Sequence, residues 1–379
     1  MRPAVRIGVA ATIAAAAIVL STSRGDAHKP ITSPYSFNED VFPVVRDRCG
    51  RCHVSGGAAP MSLMTHADAV PWGESIKTEL LAGTMPPGTV DTSPGRFRNV
   101  EGLTAREMNV LLTWVTGGTP PGDDAKNPPP MKVDTSWRLG QPDLTLEMPS
   151  PYTLSADLHD ATMEFRLPTR TSERRLLRAV DLRPGTPSIV RSATISVSTP
   201  SAGAEEVVGV WVPGDAPLPL DEGFAFELPA GADIVLRVQY KKTWEYERKE
   251  MTDRSAVGLY FAKEPATVVR KITAGAAITE DVRALALYPH AGLVNASVRV
   301  VAERPDGSRV DLIAFHPRPD WARRYWFVEP IPLPRNTKIF VTTKADDEIP
   351  LLPLSVAPSA AARTDPSSLQ LILNVVPGR

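Results

Sequence analysis

The sequence predicts an α + all-β multidomain protein: a small helical domain followed by two tandem antiparallel β-sandwich, jelly-roll-like, domains. Three observations carry that expectation. At about 150 residues per domain, a chain of 379 residues has room for two or three. Thirty-eight of them are proline, about twice the usual ~5%, and each proline fixes φ and removes a backbone donor, which suits irregular β structure better than long helices. Helical periodicity is confined to residues 35–118, and after Trp137 the chain turns to short β-like runs separated by turn signals.

The elements follow in order. Arg2 and Arg6 precede an apolar run from Ile7 to Leu20, then small residues to Ala27. This reads as an export signal over residues 1–27, too short for the ~20 residues that cross a bilayer. A periplasmic location is expected, or an inner-membrane anchor if the signal stays uncleaved. Asn38 can cap a first helix carrying Val41, Val44 and Val45, with Pro43 in its first turn. A second helix is expected from about Ala67 to Leu81. Thr104 and Glu107 form a capping box for a third, in which Leu111, Leu112, Trp114 and Val115 make an apolar stripe ended by Gly117 and Gly118.

Residues 119–137 read as a proline-rich, semi-rigid linker. Strands are expected at Arg174–Val180, Ser188–Val197, Ile234–Tyr240, Val257–Phe261, Val298–Ala302 and Lys338–Thr342. Turns such as Arg183-Pro184-Gly185 and Pro213-Gly214-Asp215 separate them, and a boundary between sandwiches over 138–264 and 265–379 is expected near Glu264.

Net charge and cysteine usage narrow the function. Forty-two basic against 43 acidic residues leave −1, which removes the electrostatic case for nucleic acid or an anionic membrane surface. The only cysteines, Cys49 and Cys52, precede His53 directly. A disulfide across so short a loop would stabilise little, and a thioredoxin-like pair calls for a βαβ setting. Cys-x-x-Cys-His instead reads as c-type haem attachment: the thiols add across the porphyrin vinyl groups and the adjacent imidazole becomes the proximal ligand. For the sixth ligand Met85, stiffened by Pro86 and Pro87, can present its thioether to the distal face. His66 or an open site are the alternatives, whereas Met61 and Met64 are expected to pack. Trp72 packs either beside the macrocycle or in the helical core.

Beyond the haem motif, the runs Ala59-Pro60-Met61-Ser62-Leu63, Met85-Pro86-Pro87, Trp137-Arg138-Leu139-Gly140-Gln141-Pro142-Asp143, Pro289-His290 and Tyr325-Trp326-Phe327-Val328-Glu329-Pro330 carry a resemblance. The chain resembles bacterial proteins that join a cytochrome c domain to a copper type II, ascorbate-dependent, peptidylglycine monooxygenase-like module. That resemblance implies two β-sandwiches with one copper each, but the expected imidazoles are largely missing. Arg191-Ser192 stands where the resemblance implies a His-His pair, Gln239-Tyr240 where it implies His-Tyr, and Pro289-His290-Ala291-Gly292 keeps one histidine of two. Neither arginine nor glycine offers a neutral nitrogen donor. His290 is at most a copper remnant, and His159 and His316 stand alone, with an improvised site involving Met163 or Met251 as the remaining copper option.

The expected function is therefore a periplasmic monohaem electron carrier with no copper and no catalytic residue, its β part serving for docking or complex assembly with a redox protein partner. A copper-dependent, haem-fed monooxygenase and a structural or ligand-binding protein with a minor redox role are the alternatives. No Gly-x-Ser-x-Gly elbow supports hydrolase chemistry.

Overall fold

The computed structural model describes residues 32–88, 90, 96–100, 102–198, 205–273, 275–291, 296–316, 321, 323–345 and 370–378. The expected signal segment lies outside them. Among the described residues no helix is long and apolar enough to cross a membrane.

The helices are short. A π-type turn at Phe37–Val41 leads into α1 (Phe42–Arg48). Pro43 sits in the first turn of α1, where a missing N–H costs nothing. Asn38 lies inside the preceding turn and does not cap it; its side-chain amide donates to the Asp123 carbonyl and to Asn127 Oδ1, both at 2.9 Å. The expected second helix is broken: a single turn at His66–Ala69 and a 3₁₀ turn at Val70–Trp72 precede α2 (Gly73–Leu81), because Pro71 cannot donate to a continuous ladder. α3 (Ala105–Thr116) starts at the Thr104 capping box, both halves of which are formed. Phe37, Val45, Leu63, Leu111 and Trp114 are the buried centre of this region.

The strands follow as β1 (Leu144–Glu147), β2 (Tyr152–Leu154), β3 (Asp160–Pro168), β4 (Arg175–Arg183), β5 (Val190–Ser198) and β6 (Glu205–Trp211). Next come β7 (Phe224–Leu228), β8 (Asp233–Lys241), β9 (Met251–Asp253), β10 (Ala256–Phe261), β11 (Thr267–Val268) and β12 (Arg270–Thr273). Then follow β13 (Val282–Ala291), β14 (Ala296–Glu303), β15 (Arg309–Phe315), β16 (Tyr325–Leu333), β17 (Lys338–Ala345) and β18 (Gln370–Pro377). Each of the six expected β runs falls on one of these strands. They pair into sheets ordered β1-β10-β4-β7-β11, β3-β8-β5-β6, β12-β18-β13-β16, β15-β14-β17 and β2-β9.

Among the described residues the molecule is thus predominantly β, about 40% strand and 16% helix, with small sheets in a propeller-like arrangement. This corrects the expected helical domain followed by two tandem sandwiches. Two observations give the physical reason. The apolar core of the first sheets also takes in Leu285 and Val376 from far along the chain. In the other direction, the segment between α2 and α3 leaves the helices: Val90 bridges Phe315, Phe97 bridges Phe327, and Phe97 is buried in the core built around Leu312, Tyr325 and Leu373. Apolar surface is buried wherever a complementary face exists, irrespective of sequence distance, so periodicity located the strands without locating their partners.

Candidate functional site

The C-terminus of α1 winds directly into the Cys49–His53 loop. The Val45 carbonyl accepts from the backbone N–H of Cys49 (2.9 Å) and Gly50 (2.7 Å), and the Cys49 carbonyl accepts from Cys52 (3.1 Å) and His53 (2.9 Å). Two successive turns therefore bring positions 49, 52 and 53 to one side of the loop. Gly50 is required in this winding, since a Cβ there would lie 2.6 Å from the Arg46 carbonyl oxygen. Both cysteines are free thiols. Burial pushes their pKa values up, Cys49 to about 12 and Cys52 to about 11, so both are protonated at neutral pH.

His53 is half-buried and oriented from behind. Its Nδ1 lies 3.1 Å from the Met61 carbonyl oxygen. A carbonyl can only accept, so Nδ1 carries the proton and Nε2 keeps its lone pair. Burial lowers the pKa of the ring, the Met61 carbonyl opposes, and the Arg191 charge lowers it further. The result is a neutral imidazole with one nitrogen anchored and the other available, the arrangement that metal-ligating histidines adopt.

Cys49, Cys52, His53 and Met85 line one cavity of about 260 Å³. Val45, Ile76, Leu80 and Leu111 give it apolar walls from all three helices, and Pro60, Pro86 and Pro87 stiffen its rim. Two protonated thiols, an imidazole with a free Nε2 and a soft thioether around one apolar space fit a covalently attached haem, whose porphyrin needs apolar walls and whose iron takes nitrogen and sulfur donors.

Other residues singled out by sequence lie elsewhere. Met64 is 2% exposed within the helical core. Met61 reaches the cavity wall and supplies the carbonyl behind His53. His66 is turned away, its Nε2 2.8 Å from the Thr119 carbonyl and its ring against Phe37 and Trp114. Trp72 packs on the helical core. His159 is exposed, 3.6 Å from Glu247, and Met163 and Met251 pack on the first β core. His290 falls in β13, with its side chain outside the described residues.

Sequence reasoning missed a wall of the cavity. Arg191, Lys241 and Trp321 line it from the β region. Arg191 is 8% exposed, and its guanidinium lies 5.6 Å from the Trp321 ring centroid. The β5–β8 register shifts between Val190 and Ser192, so Arg191 is the bulged residue, and a bulge re-aims a side chain. The basic doublet Lys241-Lys242 turns inward: Lys242 is 4% exposed and donates to the Ser155 carbonyl at 2.6 Å. The available signal was an isolated arginine in the otherwise neutral run Val190–Val197.

Comparisons with known proteins give no identity. No protein-family model matches the sequence, and no curated protein matches it. Among solved structures, a candidate alpha-L-fucosidase of Bacteroides ovatus is similar at 9% identity over 72% of this chain, with a TM-score of 0.21. The chain spans 43% of that protein's length, and so low a score carries no argument about fold or activity. The resemblance to a cytochrome c domain joined to a copper monooxygenase-like module is overturned: among the described residues the helices are few and short, no cytochrome c helical domain is evident, and the body is a predominantly β, propeller-like arrangement.

Proposed function

We propose that the chain holds one covalent c-type haem and transfers single electrons. The observation that carries this reading is the convergence of Cys49, Cys52, His53 and Met85 on one apolar cavity. Cys49 and Cys52 would tether the porphyrin through thioether bonds. His53 would hold the iron through Nε2, its ring held by the Met61 carbonyl, and Met85 would hold it through its thioether sulfur. Leu80, Leu111 and the prolines of the rim would exclude water from the macrocycle. When bound, the haem would supply a one-electron couple, and holding its iron through the Met85 thioether would favour a higher potential. No protein side chain is asked to break a substrate bond.

The apolar run at residues 7–20 supports export to the periplasm, where covalent attachment would occur. The β region is proposed to dock a redox protein partner within a membrane-associated complex. Metal analysis of the loaded protein is expected to find iron without copper; copper bound alongside the iron would favour a haem-fed monooxygenase.

The test is direct. Produced in a host that attaches haem covalently, the full chain should give a haem-staining band on a denaturing gel, and the Cys49→Ser/Cys52→Ser double variant should not. A well-folded wild-type chain without stain overturns the proposal. Met85→Ala should convert a six-coordinate low-spin spectrum into a high-spin or ligand-swapped one, and an unchanged spectrum would remove Met85 from the iron.

A further inference from the structure

The side of the cavity that the helices leave open is closed by the β region, and that closure is cationic. Arg191 reaches it from the β5 bulge, Lys241 from the end of the neighbouring strand β8, and Trp321 supplies an aromatic surface against the guanidinium. The contact between the two regions continues at the cysteine loop, where Cys52 Sγ lies 3.6 Å from the Pro213 carbonyl. The other charged groups on the cavity, Arg48 and Glu79, come from the helical region. Arg48 pairs with Glu107 at 3.1 Å, and the Glu79 carboxylate accepts the Thr84 hydroxyl. Arg191 and Lys241 are the charged side chains that the β region places on the cavity wall, and both are basic; the nearby Asp215 carboxylate, whose charge also reaches Cys52, accepts from Arg323 at 2.6 Å.

We propose that Arg191, braced on Trp321, is a positioning residue through which the β region sets the reduction potential of the bound haem. The inference rests on the haem reading above and deepens it. A positive charge fixed beside the cofactor favours the state holding one more electron, and burial strengthens that effect by lowering the local dielectric. Because Arg191 is buried, added salt screens it little. The bulge fixes where the side chain points, and the indole face attracts the cation while limiting its motion. Lys241, less deeply placed, adds to the same field. Any movement of the β region against the helices would displace this charge, so partner docking on the β side would be read at the cofactor as a change in potential.

The experiment is equilibrium redox titration of the holoprotein followed by haem absorbance, with haem staining to report loading. Arg191→Gln is expected to lower the midpoint potential, Arg191→Lys to keep it near the wild-type value, and Trp321→Leu to lower it part of the way. Should Arg191→Gln fail to accumulate, Lys241→Gln and Trp321→Leu carry the test, both with lowered potentials expected. A fully loaded Arg191→Gln protein with the wild-type potential overturns the inference and leaves the haem reading intact. Equal shifts in Arg191→Gln and Arg191→Lys would overturn it too, because packing rather than charge would then be responsible. Wild-type protein that takes up no haem overturns both.

Discussion

Two single residues away from the cavity walls test whether the local physics is understood. Asp181 in β4 is 3% exposed and accepts the Arg138 backbone N–H at 3.2 Å. Burial pushes its pKa from 3.8 up to about 6, against the backbone hydrogen bonds of Arg138 and Leu182 and the Arg138 charge. The folded state therefore holds the proton more tightly than the unfolded chain, so this contribution is complete below the unfolded value of 3.8 and is lost as pH rises through about 6. Asp181→Asn keeps an acceptor and removes the charge. It is expected to raise stability at neutral pH by about 2–3 kcal/mol and to flatten its pH dependence across this window, as thermal melts over a pH series would show; a variant with the wild-type slope counts against the assignment. Gly214 tests the contact between the regions. It has φ +79°, and a Cβ there would lie 2.1 Å from Arg51 Cβ, beside the cysteine loop. Gly214→Ala should cost about 1–3 kcal/mol, read by denaturant unfolding.

At the scale of the element, what the sequence made legible was whatever is decided within a few residues. The third helix is the clearest case. Thr104 and Glu107 bond reciprocally, at 3.1 and 2.7 Å, and the stripe of Leu111, Trp114 and Val115 is buried as its spacing requires. Thr104→Ala should therefore lower stability by about 1 kcal/mol, with Thr104→Ser close to wild type; equal losses in calorimetry would argue that the cap bond is not responsible. The second helix departs from its expected span because Pro71 breaks the ladder between His66–Ala69 and Gly73–Leu81. Asn38 was misjudged because its amide finds partners near residue 125 that no local pattern announces. The site divides in the same way. Cys49, Cys52 and His53 lie within one turn of chain and were legible together, and Met85 was legible from its prolines. The bulge that aims Arg191 depends on the pairing of β5 with β8, which the spacing of apolar residues within one strand does not encode.

For the whole molecule, the expected architecture failed on partner choice rather than on strand recognition, and one buried side chain shows why partner choice was hidden. Arg324 immediately precedes β16, yet its guanidinium donates to the carbonyls of Val207 (2.6 Å) and Val208 (3.1 Å) on β6, in a different sheet. The rings of Phe226, Trp326 and Tyr288 surround it at 5.3–6.0 Å. Burial lowers its pKa to about 10, so it stays charged at neutral pH. Among the described residues β6 pairs on one side, with β5, and Arg324 satisfies carbonyls that an apolar contact would orphan. A composition rule assigns arginine to the surface, whereas here it joins two sheets from the inside. Arg324→Met should fill much of the same volume while stranding both carbonyls, at a cost of about 2–4 kcal/mol. If Arg324 joins the sheets as its bonds imply, hydrogen exchange in that variant should quicken together in β6 and β16 while α3 keeps its protection. Faster exchange confined to β16 would show that the contact is local and does not hold the two sheets together.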